Sequence, residues 1–578
     1  GDCFFKVKGA DAEAQMSEFL AEAVSLQGMT TKEGKAASSS GAASGGGLAL
    51  TTHLQGKKAD GAAALRAATK IRDKDYDLGM FLDDCVEAFP ELDLYLVQGE
   101  PEAGARKSMS SGRTGLEEYN RTLAALFAVY WLMRLDIDGK ESSCFGVDEG
   151  TKKSNPKPQV DLPQGIAYGS MSEDQKKLNF YSKMCWEKIE DLFGQAGILQ
   201  KDGKGGWTHD VTRTKAMLVL TAIHDIMKVE PLLPVVAKQH GQFEGHAAGV
   251  QIRDHDIALA YVLMNYPAAL PSYADLDAES RKSILFTQGK MGFNNGWLVQ
   301  AEAPPGPLFE TFCGLIKKGA ASERDVAFYF VHWLTDLAGA EPKPWEGMLK
   351  YTVKFPDFVL RSFLESFPFV WKLGNTPSHD VYLEYLQWRW KALGLPKDMK
   401  DYGDSAVAIA RLCISVQTPE KARQLLEYWE KLPAEDKELL GNELGATGMK
   451  GAVYAWGGAK KSEGPCILCY YQPALMTKHL GNDNVSALKV IAEIYRMGRT
   501  LHPFKPGAAG EFVTIQVAEL KEIITGEICG AVEGGCVWVL KKQTEKESQV
   551  AQISIVDLPK LAGTYSVLPL WHTTVKDV

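Results

Sequence analysis

The stretch from Thr212 to Val229, which reads TRTKAMLVLTAIHDIMKV, shows most directly how this chain folds. Its apolar residues recur at steps of three and four, the spacing with which one face of an α-helix meets a protein core. Because Pro231 lacks a backbone N–H and disfavours helical geometry in the residue before it, the helix is expected to stop before that position. The stretch therefore predicts a buried helix that carries His224 and Asp225 near its end.

The same spacing extends in both directions from this stretch. It predicts helices over 61–134, over 172–194 and in a series between 254 and 444. After Gly445 the pattern changes to short β-branched and aromatic runs, such as Val537 to Leu540, which predict strands. The predicted fold class is mainly α, with multi-helical N-terminal and central regions and a C-terminal α+β domain.

The predicted domain division follows these changes of pattern. Residues 1–60 form an N-terminal extension with a Ser/Gly/Ala-rich linker, which cannot bury enough apolar surface to fold alone. The remaining divisions are helical regions at 61–165, 166–345 and 346–445 and an α+β domain at 446–578.

Composition limits the partners and the compartment. Lys and Arg number 64 and Asp and Glu number 73, without a basic block of the kind that neutralises a phosphate backbone, which argues against nucleic acid as a partner. The 10 cysteines are dispersed, which favours a reducing, intracellular and cytoplasmic setting, with targeting to an organelle left open. The apolar run from Thr122 to Met133 is shorter than the ~20 residues of a membrane span, so no transmembrane span is expected.

Histidine and aspartate occur together in three segments that are expected to be helical. These are His224-Asp225, Asp254-His255-Asp256, and the run from His332 to Asp336. Neutral imidazole and carboxylate oxygen are ordinary ligands of zinc, iron and manganese, and such an ion lowers the pKa of a bound water toward ~7. The three segments predict a divalent metal site that suits hydrolysis of a phosphate ester.

The run His224-Asp225-Ile226-Met227-Lys228 resembles the signature of the HD superfamily of helical, metal-dependent phosphohydrolases, an HD dipeptide that ends an apolar helix and is commonly read as HDIGK. The similarity covers roughly residues 205–340, which makes the helical region at 166–345 the HD-like one. It implies a divalent zinc, manganese or iron ion with His224, Asp225 and Asp336 as ligands. It also implies that Lys228 faces the substrate phosphate and that His255 is a further ligand or a phosphate-site residue. The substrate would be a phosphorylated small molecule or a nucleotide.

The expected site departs from that superfamily at one ligand. The superfamily has an earlier histidine on a separate helix, whereas His209 is expected to begin the helix that carries His224. At a rise of 1.5 Å per residue these two would lie roughly 20 Å apart, so they could not share an ion.

Two other functions fit the same residues. One is a non-catalytic helical scaffold or regulatory subunit with a protein partner, in which buried histidines bond backbone carbonyls and aspartates cap helices or pair with arginine. The other is a di-iron oxygenase on an HD-like helical core, which requires more ligands than the three segments offer. Whether the chain is an enzyme is therefore left open.

Two further stretches are similar to large uncharacterised proteins of dinoflagellate algae, a resemblance that would span most of the chain and assigns no catalytic residue. They are Phe330 to Pro342 and Lys290 to Trp297. The second lies within Gln288 to Gln300, whose glycines suit either a loop that approaches a ligand closely or a tight connection between helices.

Overall fold

The computed structural model describes residues 48–97, residues 113–516 with internal gaps, and the strands at 536–541, 549–554 and 571–572. The gaps are 167, 290–294, 320, 356, 417, 450–452, 456–457, 461–463, 471, 480–485 and 509–510. Most of the predicted N-terminal extension, including its Ser/Gly/Ala-rich tract, lies outside the described residues. Within the described part of the chain, no helix combines the length and the apolar composition that crossing a bilayer requires.

The fold is mainly α, as predicted. In chain order the α-helices are α1 (Ala49–His53), α2 (Gly61–Lys70), α3 (Leu78–Ala88), α4 (Gly115–Leu132), α5 (Gly139–Phe145), α6 (Glu173–Lys183), α7 (Trp186–Gln195), α8 (Val211–Ile223), α9 (His255–Asn265), α10 (Pro271–Ala274), α11 (Ala278–Gln288), α12 (Asn295–Val299), α13 (Pro305–Gly319), α14 (Glu323–Ala338), α15 (Asp357–Lys372), α16 (Ser378–Ala392), α17 (Ala406–Ser415), α18 (Pro419–Lys431), α19 (Ala434–Gly445), α20 (Gln472–His479) and α21 (Ser486–Leu501). Short 3-10 helices lie between several of them, and a π-helix covers Lys350–Lys354.

The strands are short and most of them pair locally. They are β1 (Leu199–Lys201), β2 (Trp207–His209), β3 (Gln242–Phe243), β4 (His246–Ala247), β5 (Val453–Ala455), β6 (Gly458–Lys460), β7 (Cys466–Tyr470), β8 (Phe512–Gln516), β9 (Cys536–Lys541), β10 (Gln549–Ser554) and β11 (Trp571–His572). The pairs β1-β2, β3-β4 and β5-β6 are antiparallel, β7 runs parallel to β8, and β9 lies between β10 and β11. Helices and strands therefore mix after residue 446, in agreement with the predicted C-terminal α+β domain.

The described chain divides into two compact units. One contains residues up to 289 together with 315–367, and the other contains 295–314 and the residues from 368 onward. Helices α13 and α15 include the points at which the chain passes from one unit to the other. The division into five segments that the sequence suggests stays a prediction.

Two helical predictions differ from the structure in detail. The helix expected over 172–194 is interrupted at Met184 and Cys185, where the backbone leaves helical geometry and the Trp186 ring donates to the Tyr181 carbonyl at 3.2 Å. The helix expected over 212–229 ends at Ile223 and resumes as the 3-10 turn Ile226–Lys228. At both breaks a side chain bonds a carbonyl, that of Tyr181 or Thr221, which a continuing helix would use for its own N–H, and an apolar spacing does not reveal such bonds.

Helix α4 supplies the centre of the unit that contains His224. It begins at a capping box in which Thr114 and Glu117 bond each other's backbone N–H groups, and its residues from Thr122 to Leu132 are all buried. Each fully buried large apolar side chain stabilises such a helix by roughly 1.5–3 kcal/mol. Helices α8 and α14 pack against α4 and against each other, so the three helices form one packed group.

A buried polar network fixes α8 against α14. Arg213, in the first turn of α8, donates to the Ser283 hydroxyl at 2.7 Å and lies 3.7 Å from Asp325 at the start of α14. The Ser283 hydroxyl donates in turn to Asp325 at 2.6 Å. Because buried polar groups must be paired, this network restricts how the two helices can shift relative to each other.

Candidate metal centre

His224 is the C-cap of α8, directly after the last helical residue Ile223, and the helix itself holds the His224 ring. The backbone N–H of His224 donates to the Leu220 carbonyl, and its Nδ1 lies 2.7 Å from the Thr221 carbonyl oxygen. A carbonyl oxygen can only accept, so Nδ1 carries the proton and Nε2 is left for a partner outside the helix. Metal-binding histidines commonly bond a backbone carbonyl in this way through the nitrogen that does not bind the metal.

Two carboxylates meet at Nε2 of His224. Asp336 Oδ1 lies 3.1 Å from this nitrogen and Asp225 Oδ2 lies 3.3 Å from it. Asp225 occupies the step between α8 and the following 3-10 turn, and Asp336 lies in the last turn of α14. One ligand atom from each of the three residues lies within 4.8 Å of the other two. The first and third predicted segments therefore converge, and we call these residues the metal trio.

The metal trio is buried on one side and reaches solvent on the other. His224 and Asp225 are 5% and 4% exposed, whereas the side chain of Asp336 is 37% exposed. Burial disfavours a charged imidazole, but the negative charges of Asp225 and Asp336 outweigh it and raise the pKa of His224 to about 10. Burial likewise disfavours a charged Asp225, but the positive charges of His224 and Lys228 hold the pKa of that carboxyl well below its usual range.

Two cations from different elements contact Asp225. Lys228 Nζ donates to Asp225 Oδ2 at 2.6 Å, and Arg121 NH1 lies 3.7 Å from the same oxygen. Both cations also face Glu118 Oε2, at 3.8 Å from Lys228 and 2.7 Å from Arg121. The structure thus places Lys228 against a proposed ligand, and its contact with a substrate phosphate stays a prediction.

Glu118 and Arg121 lie on α4, and the sequence pattern did not identify them as site residues. Glu118 is fully buried, which is unusual for a carboxylate unless it is paired. The sequence held one signal, since Arg121 is the charged residue that bounds the long apolar run starting at Thr122. No pattern in the sequence around Arg121 indicates that this arginine contacts Asp225, which lies more than 100 positions later in the chain.

His255 lies beside the metal trio. Its Nε2 is 3.9 Å from Asp225 Oδ1 and 3.7 Å from Asp256 Oδ1, and its side chain is 33% exposed. Asp254 caps α9 by accepting the backbone N–H groups of Asp256 and Ile257. The second predicted segment therefore reaches the site through His255, whereas the carboxylate of Asp254 caps the start of α9.

His332 belongs to the third predicted segment, although the HD resemblance gave it no role, and it lies against His224. It precedes Asp336 by one helical turn, and its ring meets the His224 ring edge-on with centroids 5.1 Å apart. Burial, together with the positive charge of His224, lowers the pKa of His332 to about 3, so the ring is neutral. Its Nδ1 is buried without a hydrogen-bond partner among the described residues, and such an atom often marks the place of an ordered water or ion.

His209 does not join the metal trio. It ends β2 rather than beginning α8, and its Nε2 lies 2.8 Å from the Ala68 carbonyl. Within Gln288 to Gln300, residues 290–294 lie outside the described residues, and Asn295–Val299 form helix α12 rather than a loop. The stretch Lys290 to Trp297 is therefore described only in part.

These features define a mainly helical protein with a His-Asp-Asp cluster at the joined ends of two helices. The chain belongs to a protein family of unknown function, DUF6829, which matches residues 205–517. The matched region includes the whole metal trio and His255, whereas Glu118 and Arg121 precede it. No curated protein and no solved structure matches the chain.

Proposed function

We propose that this protein is an HD-like, divalent-metal-dependent phosphohydrolase that acts on a phosphorylated small molecule or a nucleotide. One observation carries the proposal: Nε2 of His224 lies 3.1 Å and 3.3 Å from carboxylate oxygens of two different segments, while its Nδ1 bonds the Thr221 carbonyl. One imidazole and two carboxylates are a ligand set that zinc, manganese and iron accept. Three protein ligands leave positions open for water and substrate, as catalytic sites require.

The ligand set fits such an ion by the chemistry of its donors. His224 offers a nitrogen whose orientation the Thr221 carbonyl fixes, and Asp225 and Asp336 offer oxygens within reach of it. The unpartnered Nδ1 of His332, next to the His224 ring, adds a buried polar atom that the described residues do not satisfy. A bound divalent cation supplies a Lewis acid that activates water and polarises a phosphoryl oxygen.

The residues of the chain have separate tasks in this proposal. Lys228 holds Asp225 Oδ2 in place through a 2.6 Å hydrogen bond, so that carboxylate keeps its direction. Asp336, which is partly exposed, marks the side from which a substrate enters. His255 lies within 4 Å of Asp225, on an accessible side chain, where it can exchange a proton with the reacting groups.

The competing function is a non-catalytic scaffold in which the same residues form a buried ion network. The short contact between Lys228 and Asp225 fits both functions, because a lysine can orient a ligand or simply neutralise it. Metal content separates the two functions, since the scaffold requires no ion.

The test is metal analysis of the full chain after purification and incubation with Mn²⁺, Zn²⁺ or Fe²⁺. The variants are Asp225→Asn and Asp336→Asn, which keep side-chain shape but weaken the ligands. The matched control is Asp275→Asn, an exposed partner of Lys215 outside the metal trio. We expect stoichiometric metal and hydrolysis of a phosphate monoester in the wild type and in the control, and loss of both in the two ligand variants. A folded wild type that holds none of the three metals contradicts the proposal.

A further inference from the structure

Three cationic side chains contact the carboxylates of Asp225 and Glu118 beside the metal trio, and we call them the cationic wall. They are Arg113, Arg121 and Lys228. Arg113 and Arg121 face opposite oxygens of Glu118, at 3.5 Å and 2.7 Å respectively. Lys228 bonds Asp225, as described above. Arg113 precedes α4 and Arg121 lies in that helix, whereas Lys228 lies in the turn after α8, so tertiary packing brings Lys228 to the two arginines.

Arg121 is the member of the cationic wall that has a buried N–H donor without a partner among the described residues. Its guanidinium has five N–H donors in a planar fork, and Glu118 accepts from NH1. Its Nε is buried without a hydrogen-bond partner among the described residues. The negative charges of Asp225 and Asp336 both act on this side chain, so the guanidinium faces the metal trio.

The charge balance of the region favours an anionic ligand once a metal is bound. The carboxylates that act on Arg121 are Asp225, Asp336 and Glu118, and Asp225 also accepts from Lys228. A divalent cation at the metal trio neutralises Asp225 and Asp336, so Arg121 and Lys228 lose much of the negative charge that offsets them. The dianion of a phosphate monoester supplies negative charge in its place.

We infer that Arg121 binds the phosphoryl oxygens of the substrate beside the metal trio, and that the substrate is a phosphate monoester rather than a neutral ester. This inference rests on the proposed function and names its substrate class. A guanidinium binds two phosphate oxygens through parallel N–H donors, which fixes the orientation of the phosphoryl group as well as its charge. Arg121 contributes this contact from α4, a helix that precedes the region matched by the family.

The test measures binding of inorganic phosphate to the Mn²⁺-loaded full chain by titration calorimetry, with metal content determined on the same samples. The variants are Arg121→Ala, which removes the guanidinium, and Arg121→Lys, which keeps the charge but cannot bind two oxygens in parallel. The matched control is Arg66→Ala, since Arg66 pairs with Asp84 and Glu87 and not with the wall. Losing a charge-assisted hydrogen bond predicts about tenfold weaker phosphate binding or more in both Arg121 variants, with metal content unchanged.

The outcomes separate this inference from the function it rests on. If the wild type binds no Mn²⁺, the proposed function fails and the inference fails with it. If the wild type binds Mn²⁺ but its phosphate affinity is the same with and without the metal, or is the same in Arg121→Lys, the inference alone is overturned. Should Arg121→Ala fail to fold, Arg121→Lys decides the question, because it preserves the ion pair with Glu118.

Discussion

Nε2 of His224 lies 3.1 Å from Oδ1 of Asp336, although 112 positions separate the two residues in the chain. The other ring nitrogen is committed to the Thr221 carbonyl at 2.7 Å, so Nε2 can hold either a proton or a metal ion, but not both. Protonation and metal binding therefore compete for the same atom, and this competition makes both properties depend on pH.

We predict that metal affinity rises with pH. The pKa of His224 is about 10 without a metal, so at neutral pH the ion must displace a proton. Asp225 and Asp336 are already ionised there, because the pKa of each is lowered. The dissociation constant for Mn²⁺ should fall about tenfold for each pH unit between pH 6 and 8, with roughly one proton released per ion. Calorimetry in buffers of different ionisation heats measures both quantities, and a flat profile contradicts the competition.

Protonation of His224 should also make the stability of the metal-free protein depend on pH. Here the direction is opposite to that of metal affinity, because stability falls as pH rises. The pKa of His224 is raised from about 6.5 in the unfolded chain to about 10 in the folded one, so its contribution is full below pH ~6.5 and is lost as pH rises through 10. In the presence of a chelator, the wild type should lose its advantage over His224→Gln by about 1 kcal/mol per pH unit between pH 7 and 9. Guanidinium unfolding of both proteins measures the difference. A constant difference would show that His224 is neutral in the fold.

The sequence predicted the parts of this site that depend on local pattern. An apolar helix that ends in His224 and Asp225, and a later helix with Asp336, follow from spacing alone, and the structure brings these three residues together. The ending of α8 at Ile223 was not predictable, because it depends on a ring nitrogen of His224 that bonds the chain three residues back. Helical periodicity contains no information about such a bond.

The contact that α4 makes with the metal trio through Arg121 was not predictable for a different reason. Its apolar run indicated a buried helix, and the run from Thr122 to Leu132 is indeed buried. The approach of Arg121 to Asp225 depends on how α4 packs against α8, which is a tertiary property. In the sequence, a charged residue at a helix edge has the same pattern as an ordinary solvent-facing arginine.

Asp325 should be important for stability through the network that joins α8 and α14. Burial raises its pKa, but hydrogen bonds from Ser283 and Ser322 outweigh this effect, with Arg213 adding to them, and the pKa is lowered. Asp325→Ala leaves Arg213 buried without its carboxylate, which should cost roughly 3 kcal/mol at pH 7. Because a lowered pKa stabilises the fold above about pH 4, this difference should shrink as the pH falls through the folded value. Chemical unfolding at pH 7 and at pH 3 tests both statements.

Asp275→Ala is the control for that measurement. Asp275 pairs with Lys215 at 2.7 Å but is 49% exposed, and such surface pairs contribute about 0–1 kcal/mol. If the two alanine variants lose the same stability at pH 7, the buried network does not hold α8 against α14.

The end of α14 should tolerate no side chain at Gly339, three residues after Asp336. A Cβ on Gly339 would lie 2.5 Å from the backbone nitrogen of Ala125 and 2.6 Å from the carbonyl oxygen of Arg121, and a helix backbone cannot yield as a flexible side chain does. Gly339→Ala should therefore push α14 away from α4, destabilise the protein by about 1–3 kcal/mol and weaken Mn²⁺ binding.

Gly314→Ala is the matched control, since nothing lies within 4 Å of its added Cβ and it lies inside helix α13. That substitution should stabilise the protein by about 0.5–1 kcal/mol and leave metal binding unchanged. Equal melting temperatures for the two variants would mean that α4 and α14 do not approach as closely as the backbone contact at Gly339 indicates.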